Sequence, residues 1–270
     1  MTLDFGTGTT GGPGFVDHVL VAAVTILLPI HDLLFWYPRL LRSDPGRRSR
    51  ARSRAYLESA VIEWALFFAV LGWWAFRGRP FPAVGLGSPS GWGFWAAAVL
   101  ALGAIVFATW QRLSLTRSRD DEVRRAVLAQ LESLRPLLPH TRAEMRRFGL
   151  VSLTAGICEE LLFRGLVLWY LASLIPPAAA LLVGAALFGM AHAYQGTKGV
   201  LQTGLIGLGL VALYVVSGSL WVPMVLHAFV DVNSGLIAYA FLRPSPPSGT
   251  SPGVSGSSPA SRVDTGGGVS

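Results

Sequence analysis

The sequence predicts an all-α protein, a polytopic transmembrane helical bundle of about seven spans with one amphipathic helix on the cytoplasmic surface. Three observations carry that prediction. Of the 270 residues, 52% are hydrophobic and only 14% charged, with a mean hydropathy of +0.51, far from the balance of a soluble domain. Apolar runs of roughly 20 residues, the length a helix needs to cross about 30 Å of hydrocarbon, recur along most of the chain. The excess positive charge, +7 overall, is gathered mainly into two stretches between those runs.

In chain order, residues 1–14 (MTLDFGTGTTGGPG) carry too little apolar surface to fold and read as a disordered tail. The first run, 15–37, has no basic stretch before it and contains Asp17, His18, His31 and Asp32, which marks a retained span rather than a cleaved signal peptide. A second run lies near 56–76 and a third near 92–110. Trp36, Tyr37, Trp73, Trp74 and Trp221 fall near run ends, where amphipathic rings anchor helices at the interface. Glu58 sits at the solvated start of the second run; Glu63 lies deeper, as a polar contact in the bundle without an assigned role.

Seven arginines fall between Arg39 and Arg54 and nine between Arg112 and Arg147. Placed between spans, they follow the positive-inside rule, and no nucleic-acid partner is expected. Both loops then face the cytoplasm, so the chain is expected to be a multi-pass cell-membrane protein with its N-terminus outside and its C-terminus cytoplasmic. Between Asp120 and Arg147, Val123, Val127, Leu131 and Leu134 recur at helical spacing among charges, which makes the surface helix. Asp120, Asp121 and Glu122 suit the positive end of its dipole, and Pro136 and Pro139 end it.

Four further runs follow near 149–175, 177–194, 199–217 and 220–242. The chain thus divides into a tail (1–14), N-terminal spans with basic loops (15–148), a core of spans (149–242) and a disordered C-terminal tail (243–270). GLIGLGL, with Gly204, Gly207 and Gly209, follows no strand and reads as small residues for close helix packing rather than a nucleotide loop. The single cysteine, Cys158, excludes an intramolecular disulfide framework.

The run 149–175 is the unusual one, because it carries Glu159, Glu160 and Arg164. Near a helix centre these cost about 8 to 10 kcal/mol together. The thirteen Leu, Ile, Val and Phe between 150 and 175 return about 4 to 8 kcal/mol. Alone this helix is marginal in lipid, so it needs partners. Glu160 and Arg164 are one turn apart and pair on one face. Glu159 points about 100° away, beyond easy reach of Arg164, and an intramembrane glutamate without a counter-charge marks a functional site. Two later runs supply groups to meet it. LFGMAHAYQG places His192 four residues after Phe188, and WVPMVLHAFVDVNSG places His227 and Asp231 one turn apart.

Glu159-Glu160-x-x-x-Arg164, Phe188-x-x-x-His192 and His227-x-x-x-Asp231, in that order on apolar helices, resemble the three motifs of the CPBP (CAAX protease and bacteriocin-processing, or Abi) family of intramembrane proteases, which includes the type 2 CAAX prenyl endopeptidases. The resemblance covers about 149–242; the three N-terminal spans match only in being hydrophobic. It implies an intramembrane endopeptidase cleaving a peptide or lipidated protein substrate in contact with membrane lipids. A non-catalytic role of bacteriocin-immunity or export-accessory type, binding a peptide partner, is the alternative within the same family.

Peptide hydrolysis needs an activated water, a stabilised oxyanion and a protonated leaving amine. Glu159 is the general base in this reading, with Glu160 held ionised by Arg164 and His192 orienting or sharing the water. His227 and Asp231 then face the carbonyl oxygen or bind a metal. His192, His227, Glu159 and Asp231 make a reasonable Zn2+ set, and family members are described both as metalloproteases and as metal-independent glutamate proteases. In the latter an asparagine stands where this chain has Asp231. An ionised aspartate repels an oxyanion, so Asp231 is protonated, pairs with His227 or ligates a cation.

Overall fold

The computed structural model describes residues 7–243, and every regular element among them is helical. The rest of the two expected tails, 1–6 and 244–270, lies outside the described residues. The helices are α1 (Phe15–Leu41), α2 (Arg48–Phe76), α3 (Gly91–Arg117), α4 (Asp121–Leu131), α5 (142–172), α6 (Pro177–Ala191), α7 (Gly196–Ser217) and α8 (Trp221–Leu242). Among the described residues five helices are long and apolar enough to cross a membrane: α1, α2, α3, α7 with the turn before it, and α8. Of the seven expected runs, α5 carries its charges and α6 has only 15 residues.

α1 is not a plain α-helix. It widens into π turns at Ala23–Leu27 and Asp32–Trp36, each ending two residues before a proline, Pro29 and Pro38. A proline ring inside an α-helix meets the carbonyl four residues back and offers that carbonyl no N–H. A wider turn just upstream relieves the clash without breaking the rod. The second π turn begins at Asp32.

Residues 7–14 depart from the tail expectation. Thr10 is buried, and its hydroxyl accepts a hydrogen bond from Trp169 Nε1 at 2.8 Å. Arg79 donates through Nε to the Thr10 carbonyl at 3.2 Å and grips the fully buried Asp17 with two bonds of 2.7 and 2.8 Å. Trp73 Nε1 donates to the same carboxylate at 2.9 Å, and the guanidinium lies over Trp74 and Trp169 at 4.9 and 4.4 Å from the ring centroids. This segment is held by satisfying a buried arginine with backbone carbonyls, a role that needs no apolar surface.

α4 begins as expected: the Asp120 side chain caps it, accepting from the Glu122 N–H at 2.7 Å. Val123, Val127 and Leu131 are half-buried on one face, which packs against α8. α5 opens on a capping box. The Thr141 hydroxyl accepts from the Glu144 N–H at 3.2 Å, and the Glu144 carboxylate accepts from the Thr141 and His140 N–H groups at 3.1 and 2.7 Å. Arg52 Nη1 lies 2.8 Å from the other Glu144 oxygen and ties α2 to the start of α5. Burial by itself raises the Glu144 carboxyl, but the Ser49, His140 and Thr141 hydrogen bonds and the Arg52 charge outweigh it and hold the group below its ordinary value of 4.5. A depressed folded value stabilises the fold above the ordinary value and loses that contribution as pH falls through the depressed one. The melting temperature in detergent is therefore expected to fall on acidification below pH 4.5, with Glu144→Gln flattening that decline; an identical acid profile in the variant contradicts the assignment.

The core is built around α5, which packs against α2 on one side and α8 on another, while α6 lies on α7 and α3 on α8. At the α5–α8 crossing a Cβ on Gly156 would stand 2.6 Å from the backbone nitrogen and Cβ of Ala228. Only glycine allows this approach. It brings the next turn of α5, with Glu160, against His227.

Candidate active site

Immediately after Glu160, α5 widens into a π segment, Leu161–Val167, every residue of which is buried. Arg164 lies in it, 1% exposed, and donates from Nη1 to Glu160 Oε1 at 3.0 Å, the pairing expected from the one-turn spacing. Its other terminal nitrogen donates to the Gly207 carbonyl of α7 at 3.2 Å. The face of Phe188 covers the guanidinium at 4.1 Å from the ring centroid, and Phe188 meets His227 edge-on at 5.9 Å. Gly207 gives the room for this: a Cβ there would stand 2.8 Å from Phe188. Phe188 thus packs the arginine and the histidine together.

Glu160 is fully buried and has a second partner. His227 Nδ1 lies 2.7 Å from the same Oε1 that receives Arg164. A carboxylate held by a guanidinium only accepts, so the imidazole donates from Nδ1 and turns Nε2 the other way. There Nε2 stands 3.7 Å from Asp231 Oδ2 and 3.9 Å from Glu159 Oε2, both beyond a direct hydrogen bond and within the span of a bridging group. The two adjacent acids therefore see different surroundings. Glu160 has none of its side chain exposed and Glu159 has 18%, while Asp231 has 37%.

Glu159 faces a cavity of about 90 Å³ between α1, α2, α5 and the end of α6. His192, which caps the C-terminus of α6, lines it too. Its Nδ1 is 2.9 Å from the Phe188 carbonyl, which has no proton to give, so the ring proton sits on Nδ1 and Nε2 is the free acceptor of the neutral ring. His227 and Asp231 are not among the residues lining this cavity; they approach Glu159 from α8. Two acids that the motifs did not single out also line it: Asp32 from the π turn of α1, 3.0 Å from His31, and Glu63 from α2, whose Oε2 is buried without a hydrogen-bond partner among the described residues. Both are carboxylates on otherwise apolar runs, and that was their only sequence signal.

Among the described residues no group of three or more His, Cys, Asp and Glu side chains is placed to hold a metal ion. The proposed chemistry takes no step through a metal.

Residues 142–233 match the family described as type II CAAX prenyl endopeptidase Rce1-like. Over that stretch the chain is similar to the CAAX proteases of Rce1-like type. No curated protein and no solved structure matches the chain. The matched stretch contains Glu159, Glu160, Arg164, Phe188, His192, His227 and Asp231, whereas Asp32 and Glu63 come from helices outside it. The helices long and apolar enough to cross a membrane, together with this similarity, point to a membrane protein.

Proposed function

We propose that the protein is an intramembrane endopeptidase that hydrolyses a peptide bond of a membrane-associated or lipidated substrate with a water held between Glu159 and His192. The observation that carries this reading is the shared cavity: about 90 Å³ between helices, lined by a carboxylate and an imidazole from separate elements. A water needs about 10 to 15 Å³ of such space, so water fits.

His192 Nε2 accepts one hydrogen bond from that water and turns its lone pair outward. Glu159 takes the other proton as the water oxygen bonds to the substrate carbonyl carbon, and the C=O electron pair moves onto oxygen. The C–N bond then breaks while Glu159 returns the proton to the departing nitrogen, leaving a carboxyl group and an amine. His227, oriented by Glu160 through Nδ1, presents Nε2 towards Glu159 and serves the oxyanion when that nitrogen carries a proton. Asp231, 3.7 Å away on the same helix, balances the imidazole charge, which keeps its own charge directed at a cation rather than at the oxyanion. Glu160, Arg164 and Phe188 act as positioning residues.

The test is release of a fluorogenic lipidated peptide by the purified chain in detergent. His192→Ala is expected to lower kcat by about a hundredfold, as loss of one participant in proton transfer does, with unchanged elution as a folded species. A wild-type chain that binds the peptide and releases no product overturns the enzymatic reading in favour of a binding role. Restoration of activity by added Zn2+ after chelation overturns the metal-free step.

A further inference from the structure

A second cavity, of about 450 Å³, lies where the last turn of α1 and the first turns of α2 meet, at the arginine-rich end of the bundle. Arg39, Arg42, Arg47, Arg50 and Arg54 line it; the acids on its wall are Asp44 and Glu58. Arg39 is paired with Glu58. The side chains of Arg42, Arg47, Arg50 and Arg54 have no hydrogen-bond or ion-pair partner among the described residues, and all four are exposed. The guanidiniums lining this cavity outnumber its acids, and an anion there offsets the excess positive charge. Trp36 also lines it; the side chain is buried, and its indole N–H has no acceptor among the described residues. A buried donor left open is costly, and here it points to an acceptor supplied from outside the chain.

The surroundings choose between kinds of anion. On α2 the residues Arg50, Arg54, Leu57 and Val61 follow one another at intervals of four, three and four, which is one face of the helix. Leu57 and Val61 are 65% and 60% exposed. An anion at the arginines that also carried hydrocarbon chains would lay them along this stripe, and the depth is that of the membrane surface, where α2 passes from charged to apolar. The geometry points to a binding site for the phosphate of an anionic phospholipid, with the headgroup in the arginine cavity and the acyl chains along Leu57 and Val61. The site stands apart from the peptide-cleaving step, although Trp36 also lines the cavity of Glu159 and His192.

Native mass spectrometry of the detergent-purified chain tests this. The probes are phosphatidylglycerol, phosphatidylcholine and inorganic phosphate. The wild type is expected to retain phosphatidylglycerol and not phosphatidylcholine. Arg50→Gln with Arg54→Gln weakens that retention by about tenfold, since each arginine contributes to headgroup attraction at the surface. Arg124→Gln with Arg125→Gln removes the same charge from exposed positions on α4 and leaves retention unchanged. Equal losses in the two double variants reduce the effect to overall charge and overturn the site. Inorganic phosphate that displaces the lipid stoichiometrically makes it a free-phosphate site and overturns the lipid assignment. Trp36→Phe, which removes only the indole donor, lowers retention in the same direction; no change contradicts the role given to that N–H.

Discussion

Arg164→Leu is expected to remove most of the folded, monodisperse protein from a detergent extract. The guanidinium is 1% exposed, bonds Glu160 at 3.0 Å and the Gly207 carbonyl at 3.2 Å, and lies under Phe188. Leucine fills part of the volume and leaves the Glu160 carboxylate enclosed with only His227 beside it. Breaking a buried pair in this way costs about 3 to 5 kcal/mol, a large share of the margin by which a domain stays folded. Glu159→Ala, at a partly open position facing the cavity, strands no charge and is expected to extract normally. The comparison is read by fluorescence-detected size exclusion of the two variants. Equal monodisperse yields contradict the paired-charge account. Arg164→Leu combined with Glu160→Leu removes both charges and recovers yield, because an apolar pair of similar volume is tolerated where half an ion pair is not. Activity does not return, since His227 has lost the carboxylate that orients it.

The second large effect is on rate. Glu159→Gln keeps the size and the hydrogen-bonding reach of the side chain and takes away its ability to accept a proton from water. Loss of a general base lowers kcat by about 10² to 10⁴, and because binding of the peptide does not depend on proton transfer, KM changes little. His192 and Glu159 serve the same water, so the double variant is expected to be scarcely slower than Glu159→Gln alone. Single-turnover cleavage of a lipidated peptide measures both. Multiplicative losses would mean that the two residues serve separate steps, and an undiminished rate in Glu159→Gln removes the carboxylate from the chemistry.

The features legible in the sequence were those set by spacing along one helix. Residues 160 and 164 differ by one turn, as do 188 and 192, and 227 and 231; the structure finds each pair in contact or nearly so. Glu159 could be told from Glu160 because neighbours on a helix diverge by about 100°. What the spacing did not disclose was the role of groups with no companion on their own helix. Asp32 and Glu63 reach the cavity from α1 and α2, and a lone acid on an apolar run has no pattern to mark where it points. That Glu160 receives both Arg164 and His227 depends on the α5–α8 crossing at Gly156, a contact between segments 72 residues apart (228 − 156). The contacts of residues 7–14 are invisible to composition, which counts apolar surface, whereas their carbonyls and the Thr10 hydroxyl are what Arg79 and Trp169 need.

The enclosed Glu160–Arg164 pair also constrains how the chain is made. Gly207 and His227, which complete its hydrogen bonds, lie 43 and 67 residues farther along the chain. When α5 leaves the ribosome neither exists yet. The nascent helix must wait at the translocon, or rest at the interface with its charges wet, until the C-terminal hairpin of α7 and α8 arrives to receive it.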